Sequence, residues 1–198
     1  SKDEIAYDIA NDPVGNVYVT GETGSNLDFP TLDAFQGTFG GDNLDAFVVK
    51  FNDNYHREWA TFYGGTGFQH GYGIAHDETN NNVYICGNTQ ANSTALYWPF
   101  GTGYAHNSCS NGGLVAGFIA RFDDVFGIRD WGTKFAVPYA TCNKIKCDNS
   151  GNVYVVGTTG GYGVLTCSPT AFLCSDFPVC DPGGAYIQTG SFGGISFS

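Results

Sequence analysis

The stretch Gly15-Asn16-Val17-Tyr18-Val19-Thr20-Gly21 decides the fold, because the chain uses it three times. It returns as Asn81-Asn82-Val83-Tyr84-Ile85-Cys86-Gly87 and as Gly151-Asn152-Val153-Tyr154-Val155-Val156-Gly157. Val17 to Val83 is 66 positions and Val83 to Val153 is 70. Three copies at one long period mean a repeat architecture. Each copy is a β-branched and aromatic run of strand length, preceded by turn residues.

Outward from this strand, the first unit reads as four strands, at residues 5–10, 17–20, 45–51 and 58–63. The turn around Asp12-Pro13-Val14-Gly15-Asn16 makes the first two a hairpin, and a long loop, residues 21–43, precedes the third. The second unit repeats the order: Tyr72-Gly73-Ile74-Ala75 answers Tyr7-Asp8-Ile9-Ala10, and Trp131 answers Trp59. The third unit opens at Thr141-Cys142-Asn143 and keeps its second strand. Its third strand is expected at Ala185-Tyr186-Ile187-Gln188-Thr189, and its fourth survives only as a poor fit at residues 193–198. No apolar residues recur at helical spacing over any length; Asp123-Asp124-Val125-Phe126 is at most one turn.

Four antiparallel strands per repeat is the pattern of a β-propeller blade. The fold class expected is therefore all-β, with blades at residues 1–67, 68–136 and 137–198 in one domain or part of one. The third blade has an irregular, Cys-rich loop. Propellers close with about four to eight blades, so three imply either a segment of a larger ring or a ring completed by another copy. The chain has no Met, which favours a processed product or a piece of a longer polypeptide. The competing architecture is an open β-solenoid stack.

Composition narrows the function classes. Apolar residues at 42% and aromatics at 16% exclude a disordered tail. No apolar window is long enough for a membrane helix, and the start, Ser1-Lys2-Asp3-Glu4, has no signal-peptide pattern. Eight basic against 19 acidic residues, a net charge of −11, argue against nucleic acid. The seven Cys lack the spacings of a zinc ribbon or finger. Their crowding after position 100 in a Gly-rich acidic chain points to an extracellular setting. Cys142, Cys147, Cys167, Cys174 and Cys180 are the disulfide candidates, and Cys86 reads as a buried free thiol inside a strand.

The first unit, from Asp8-Ile9-Ala10-Asn11-Asp12-Pro13 through Asp28-Phe29-Pro30-Thr31 to Trp59-Ala60-Thr61-Phe62-Tyr63-Gly64-Gly65, resembles the SBBP-type β-propeller repeat. The likeness weakens in the second unit's long loop, where Tyr97-Trp98-Pro99-Phe100 replaces the Asp-Phe-Pro-Thr segment, and again after Cys167. The resemblance implies a propeller in a large secreted or cell-surface bacterial protein, often from Bacteroidetes. It implies no catalytic residue, because the repeat has no common one.

The candidate chemistry is sparse. Asp12, Asp77 and Asp148 share one column at the hairpin turn; they read as structural turn carboxylates, with weakly bound surface calcium as the functional alternative. Trp59, Trp131, Phe47, Phe118 and Tyr186 recur and read as packing between blades. Tyr97, Trp98, Phe100 and Tyr104 do not recur, lie in a long loop, and are the binding candidates. Phe29 and Phe35 read as structural. The histidines His56, His70, His76 and His106 form no metal motif; a His70–His76 metal pair is disfavoured, and Asp123-Asp124 reads as a solvated turn. His106 with Cys109 reads as a Cys–His pair only on paper, and Asn92-Ser93-Thr94 is a glycosylation sequon.

The expectation is a non-enzymatic structural or adhesive propeller segment, secreted or at the cell surface, with no cofactor. Its partners would be proteins or glycans, together with further blades of the same polypeptide or another copy of the chain. The alternatives are a propeller hydrolase or lyase with its site over the central channel, and a lectin with sugar pockets between blades.

Overall fold

In the computed structural model, residues 3–41, 43–90, 115–135, 140–159 and 186–188 are described. The protein is all-β there. The first sheet is β1 (Glu4–Asn11), β2 (Val17–Thr23), β3 (Asp45–Phe51) and β4 (Arg57–Tyr63), paired in chain order. The second is β5 (Gln69–Asp77), β6 (Asn82–Thr89), β7 (Ala116–Asp123) and β8 (Arg129–Phe135), in the same order. The third joins β9 (Ala140–Cys147), β10 (Val153–Thr159) and β11 (Tyr186–Gln188). All pairings within the sheets are antiparallel. The sheets stack as propeller blades, and those described do not close a ring. The fourth strand expected at 193–198 lies outside the described residues.

The middle sheet explains why the blades stack. Along β6 the side chains alternate: Val83 and Ile85 join Tyr18, Val48 and Trp59 of the first sheet, while Tyr84 and Cys86 join Cys142 and Ile145 of the third. A sheet alone would leave one of those faces in water. Burying a Val, Leu, Ile or Phe side chain contributes about 1.5–3 kcal/mol, so two wet faces would leave most of this core unformed. The loop after β2 closes the outer edge of the first sheet: Leu32 N–H donates to Ala60 O (3.0 Å) and Ala60 N–H to Leu32 O (2.8 Å).

The glycine that ends each copy of the repeat has a steric cause. The first strand of every sheet carries a bulge, at Tyr7, Tyr72 and Asn143. The bulge drives its backbone onto the neighbouring strand, and a Cβ on Gly21, Gly87 or Gly157 would strike the carbonyl oxygen of Ile5, His70 or Thr141.

Two sequence expectations change here. Cys142 and Cys147, expected among the disulfide candidates, are free thiols among the described residues. Both lie on β9, five residues or about 16 Å apart along an extended strand, beyond the Cα span of a disulfide. Cys142 packs against Cys86, whose Sγ donates to Cys142 O at 3.6 Å, and Cys147 joins the same cluster. Burial pushes the Cys147 thiol up to about 12, and the nearby Asp77 and Asp148 add to it. Cys167, Cys174 and Cys180 lie outside the described residues. Asp124, expected as solvated, is buried between the first two sheets.

Asp45 opens β3 fully buried and ties down the loop, its Oδ2 accepting from Gly40 N–H (2.7 Å) and Gln36 Nε2–H (3.3 Å). Its Oδ1 has no hydrogen bond, and burial raises the carboxyl to about 7 against those two bonds. The folded protein then holds a proton that the unfolded chain releases near pH 4. Stability is full below that pH and falls as pH rises to about 7, by up to about 4 kcal/mol. Urea denaturation from pH 4 to 7 should show this slope in the native protein and lose it in Asp45→Asn.

Candidate binding site at the long-loop face

The two ends of the stacked sheets differ. Short hairpin turns lie at one end, and the loop 24–44 and the sheet-to-sheet link 64–68 lie at the other.

At the short-turn end, the recurring aspartates close their own turns. Asp12 accepts from Val14 N–H (3.1 Å), Asn16 N–H (2.8 Å) and Asn16 Nδ2–H (2.6 Å). Asp148 repeats this with Ser150 N–H, Asn152 N–H and Asn152 Nδ2–H, and Asp77 with Thr79 N–H, Asn80 N–H and Asn80 Nδ2–H. Gly15, Asn81 and Gly151 take the positive φ the turns need, at 98°, 52° and 78°.

Between the first two sheets this end carries a buried polar junction. Tyr18, Lys50 and Trp59 are register partners across β2, β3 and β4. Asp124, from the turn between β7 and β8, reaches into that row. Its carbonyl accepts from Trp59 Nε1–H (2.8 Å) and Lys50 Nζ (3.2 Å), and its Oδ1 accepts from Tyr18 O–H (2.5 Å) and Lys50 Nζ (3.1 Å). Lys50 also pairs with Glu58 (3.1 Å). His76 stacks on Tyr18 with ring centroids 5.1 Å apart. Burial works to raise the Asp124 carboxyl, but His76, Tyr18 and Lys50 outweigh it and hold the group at about 2. The second sheet repeats the row as Tyr84, Arg121 and Trp131, with Arg121 paired to Asp130 (3.1 Å). A recurring row is a joint between blades.

The long-loop end combines the recurring bulge tyrosines, Tyr7 and Tyr72, with groups that do not recur, such as Glu22 and His70. Four rings form a row along the first strands and the link that leads into β5: Phe68 stacks on His70 (6.3 Å), His70 on Tyr72 (5.5 Å), and Tyr72 meets Tyr7 at 5.1 Å, tilted by 59°. Phe68 and Tyr7 are each 38% exposed, so the row is open to solvent. Behind it Glu22 is buried at the end of β2, and His70 Nδ1 contacts its carboxylate. Burial and a hydrogen bond to Glu22 push the Tyr7 hydroxyl up to about 12. Asn88 Nδ2–H donates to Thr141 Oγ1 (3.2 Å), bringing the third sheet to the same mouth. Deeper in, Asp8 joins all three sheets: it pairs with Lys144 Nζ (3.0 Å) and accepts from Ile74 N–H (3.0 Å).

The family model for the SBBP beta-propeller repeat matches residues 1–28. The resemblance read from the first unit is borne out over that segment, which runs through the first hairpin into the following loop. No curated protein matches the chain.

The sequence candidates divide. Tyr97, Trp98, Phe100 and Tyr104 lie outside the described residues, as do His106, Cys109 and the sequon at Asn92. Phe29 packs on Phe47 and Phe62, and Phe35 on Phe122. His70 and His76 do not meet: they sit at opposite ends of β5, which at about 3.3 Å per residue separates them by nearly 20 Å. The acid beside His76 is Asp124, whereas its sequence neighbour Asp77 bonds its own turn. Sequence reading missed Glu22, Phe68 and the ring row. Comparing columns would have flagged Glu22, since Asn88 and Thr158 stand in its place in the other units.

Removing one partner of a buried ion pair costs about 3–5 kcal/mol, because the other charge is left uncompensated. Lys50→Met should therefore lower the unfolding free energy by about that amount in urea titrations. A loss below about 1 kcal/mol, as for a surface pair, would mean that the junction does not hold the blades.

Proposed function

We propose that this chain is a non-enzymatic structural or adhesive segment of a secreted or cell-surface β-propeller, and that it takes a glycan or protein partner at the long-loop mouth. The observation that carries this reading is the solvent-open row Phe68, His70, Tyr72 and Tyr7 set before the Glu22 carboxylate. Aromatic faces offer flat apolar contact, and a carboxylate beside them accepts hydroxyl protons. That combination suits the ring of a sugar. Rigid strands hold the row, which limits the ordering cost of binding. Among the described residues the recurring polar groups, such as Asp12, Asp77 and Asp148, are engaged in turns and blade joints, which suits a structural part.

A second reading keeps the enzyme alternative. Glu22 and His70 are a non-recurring carboxylate–imidazole pair at the inner strands, the kind of pair that general acid–base chemistry uses. A panel of glycoside and ester substrates separates the two. Turnover that His70→Ala abolishes would establish the enzyme reading and end the non-enzymatic one.

Glycan-array binding followed by calorimetry tests the mouth. Tyr7→Ala/Tyr72→Ala should weaken a bound glycan by at least about tenfold while the fold persists by circular dichroism. Unchanged affinity there, with loss in Tyr97→Ala/Trp98→Ala, would move the site to the long loop of the second unit.

A further inference from the structure

The short-turn junction has more acceptors than donors. Tyr18 has one hydroxyl proton, yet carboxylate oxygens of two residues face it: Asp124 Oδ1 at 2.5 Å and Asp12 Oδ2 at 3.1 Å. One proton serves one of them well. The shorter contact takes it, so a lone pair of Asp12 Oδ2 is left over. Asp124 Oδ2 faces His76 Nε2 at 3.6 Å, too long for a hydrogen bond. The His76 side chain is 4% exposed, and neither ring nitrogen has a hydrogen-bond partner. A buried imidazole without a hydrogen bond is costly to keep, and this one is aimed at two carboxylates.

Charge gives the same answer. Asp12, Asp124 and Glu58 carry three negative charges around the single positive charge of Lys50. Glu58 is 39% exposed and solvated, so the buried excess is that of Asp12 and Asp124 over Lys50, which a bound cation offsets. Geometry then chooses the ion. Ligand atoms of Asp12, His76 and Asp124 lie within 4.8 Å of one another. Two ligands on a tetrahedral zinc at about 2.1 Å stand about 3.4 Å apart, close to the 3.6 Å between His76 Nε2 and Asp124 Oδ2. Imidazole with carboxylates suits zinc, and calcium takes all-oxygen shells.

We propose that the junction between the first and second sheets is a zinc site, with His76 Nε2, a carboxylate oxygen of Asp124 and a carboxylate oxygen of Asp12 as ligands. A water completes the tetrahedron. Asp12 shifts inward to close the set. Lys50 stays on Asp124 Oδ1, leaving Oδ2 for the metal. His76 is the specific element, because Asn11 and Cys147 hold its column in the other units. The site joins two blades at the end opposite the ring row, so its role is to lock them together, and it does not depend on the long-loop reading.

The test uses the full chain, freed of metal by a chelator and kept reduced. Calorimetry with zinc should show one equivalent bound, with a rise in Tm of several degrees. Cobalt in its place should give the visible absorption of a four-coordinate site without the thiolate charge-transfer bands of sulfur ligation. Both signals should vanish in His76→Gln. Cadmium NMR on the unaltered protein provides a readout that does not depend on the variant folding: a nitrogen–oxygen ligand shift supports the site. Absence of binding at millimolar zinc, thiolate bands with cobalt, a sulfur-type cadmium shift, or full affinity in folded His76→Gln would each overturn it.

Discussion

Asp124 sets how the first two blades meet. Apolar burial drives the sheets together, but it is non-directional and leaves them free to slide. The hydrogen bonds do not allow sliding. One residue's carbonyl and carboxylate accept from Trp59, Lys50 and Tyr18, which lie in line across three strands of the other sheet. Moving either sheet by one residue would bring apolar neighbours against the carboxylate and strand Lys50 in the core. The network therefore specifies a register that the packing of Val48, Ile85 and Phe122 tolerates but does not dictate.

Once that register holds, the two ends of the stack take separate tasks. Polar groups at the short-turn end recur from blade to blade: the turn aspartates, the tyrosines below them, and a Lys or Arg beside a Trp. Recurrence there follows from geometry, since every blade must close the same hairpin and meet a neighbour. The long-loop end has no such demand. Its bulged first strands set Tyr7, which is exposed, beside the half-buried Tyr72, and single replacements such as Glu22 and His70 change the groups behind and within that row without disturbing a joint. Variation is tolerated at that end, and a rigid scaffold with variable groups at one end is the usual ground for binding.

Much of the architecture was legible in the chain. Strand length, β-branched content and turn residues identified the blades, and the repeat of Trp59 as Trp131 marked the shared core. The reading failed wherever a side chain's partner came from another repeat. Asp124 sits in a polar turn, so it reads as solvated; only stacking carries it under Trp59. Cys142 and Cys147 read from composition as two of five disulfide candidates, yet both lie on β9 and pack in the interface with the second sheet. Glu22 ends a strand unremarkably in the sequence, and its link to His70 spans 48 positions.

What the sequence alone determined is the unit: four strands, a hairpin turned by Asp with Gly or Asn, and a repeat that must stack. Those features depend on neighbours a few residues apart, where propensity and alternation act. What only the tertiary structure decided is which groups converge: Asp12 with His76 and Asp124, and Glu22 with His70 beside Tyr7 and Tyr72. Such groups come from different sheets, and local spacing carries no information about them. The physical reason is that blade-to-blade register is set by burial and buried hydrogen bonds across sheets, which exist only after the strands have formed.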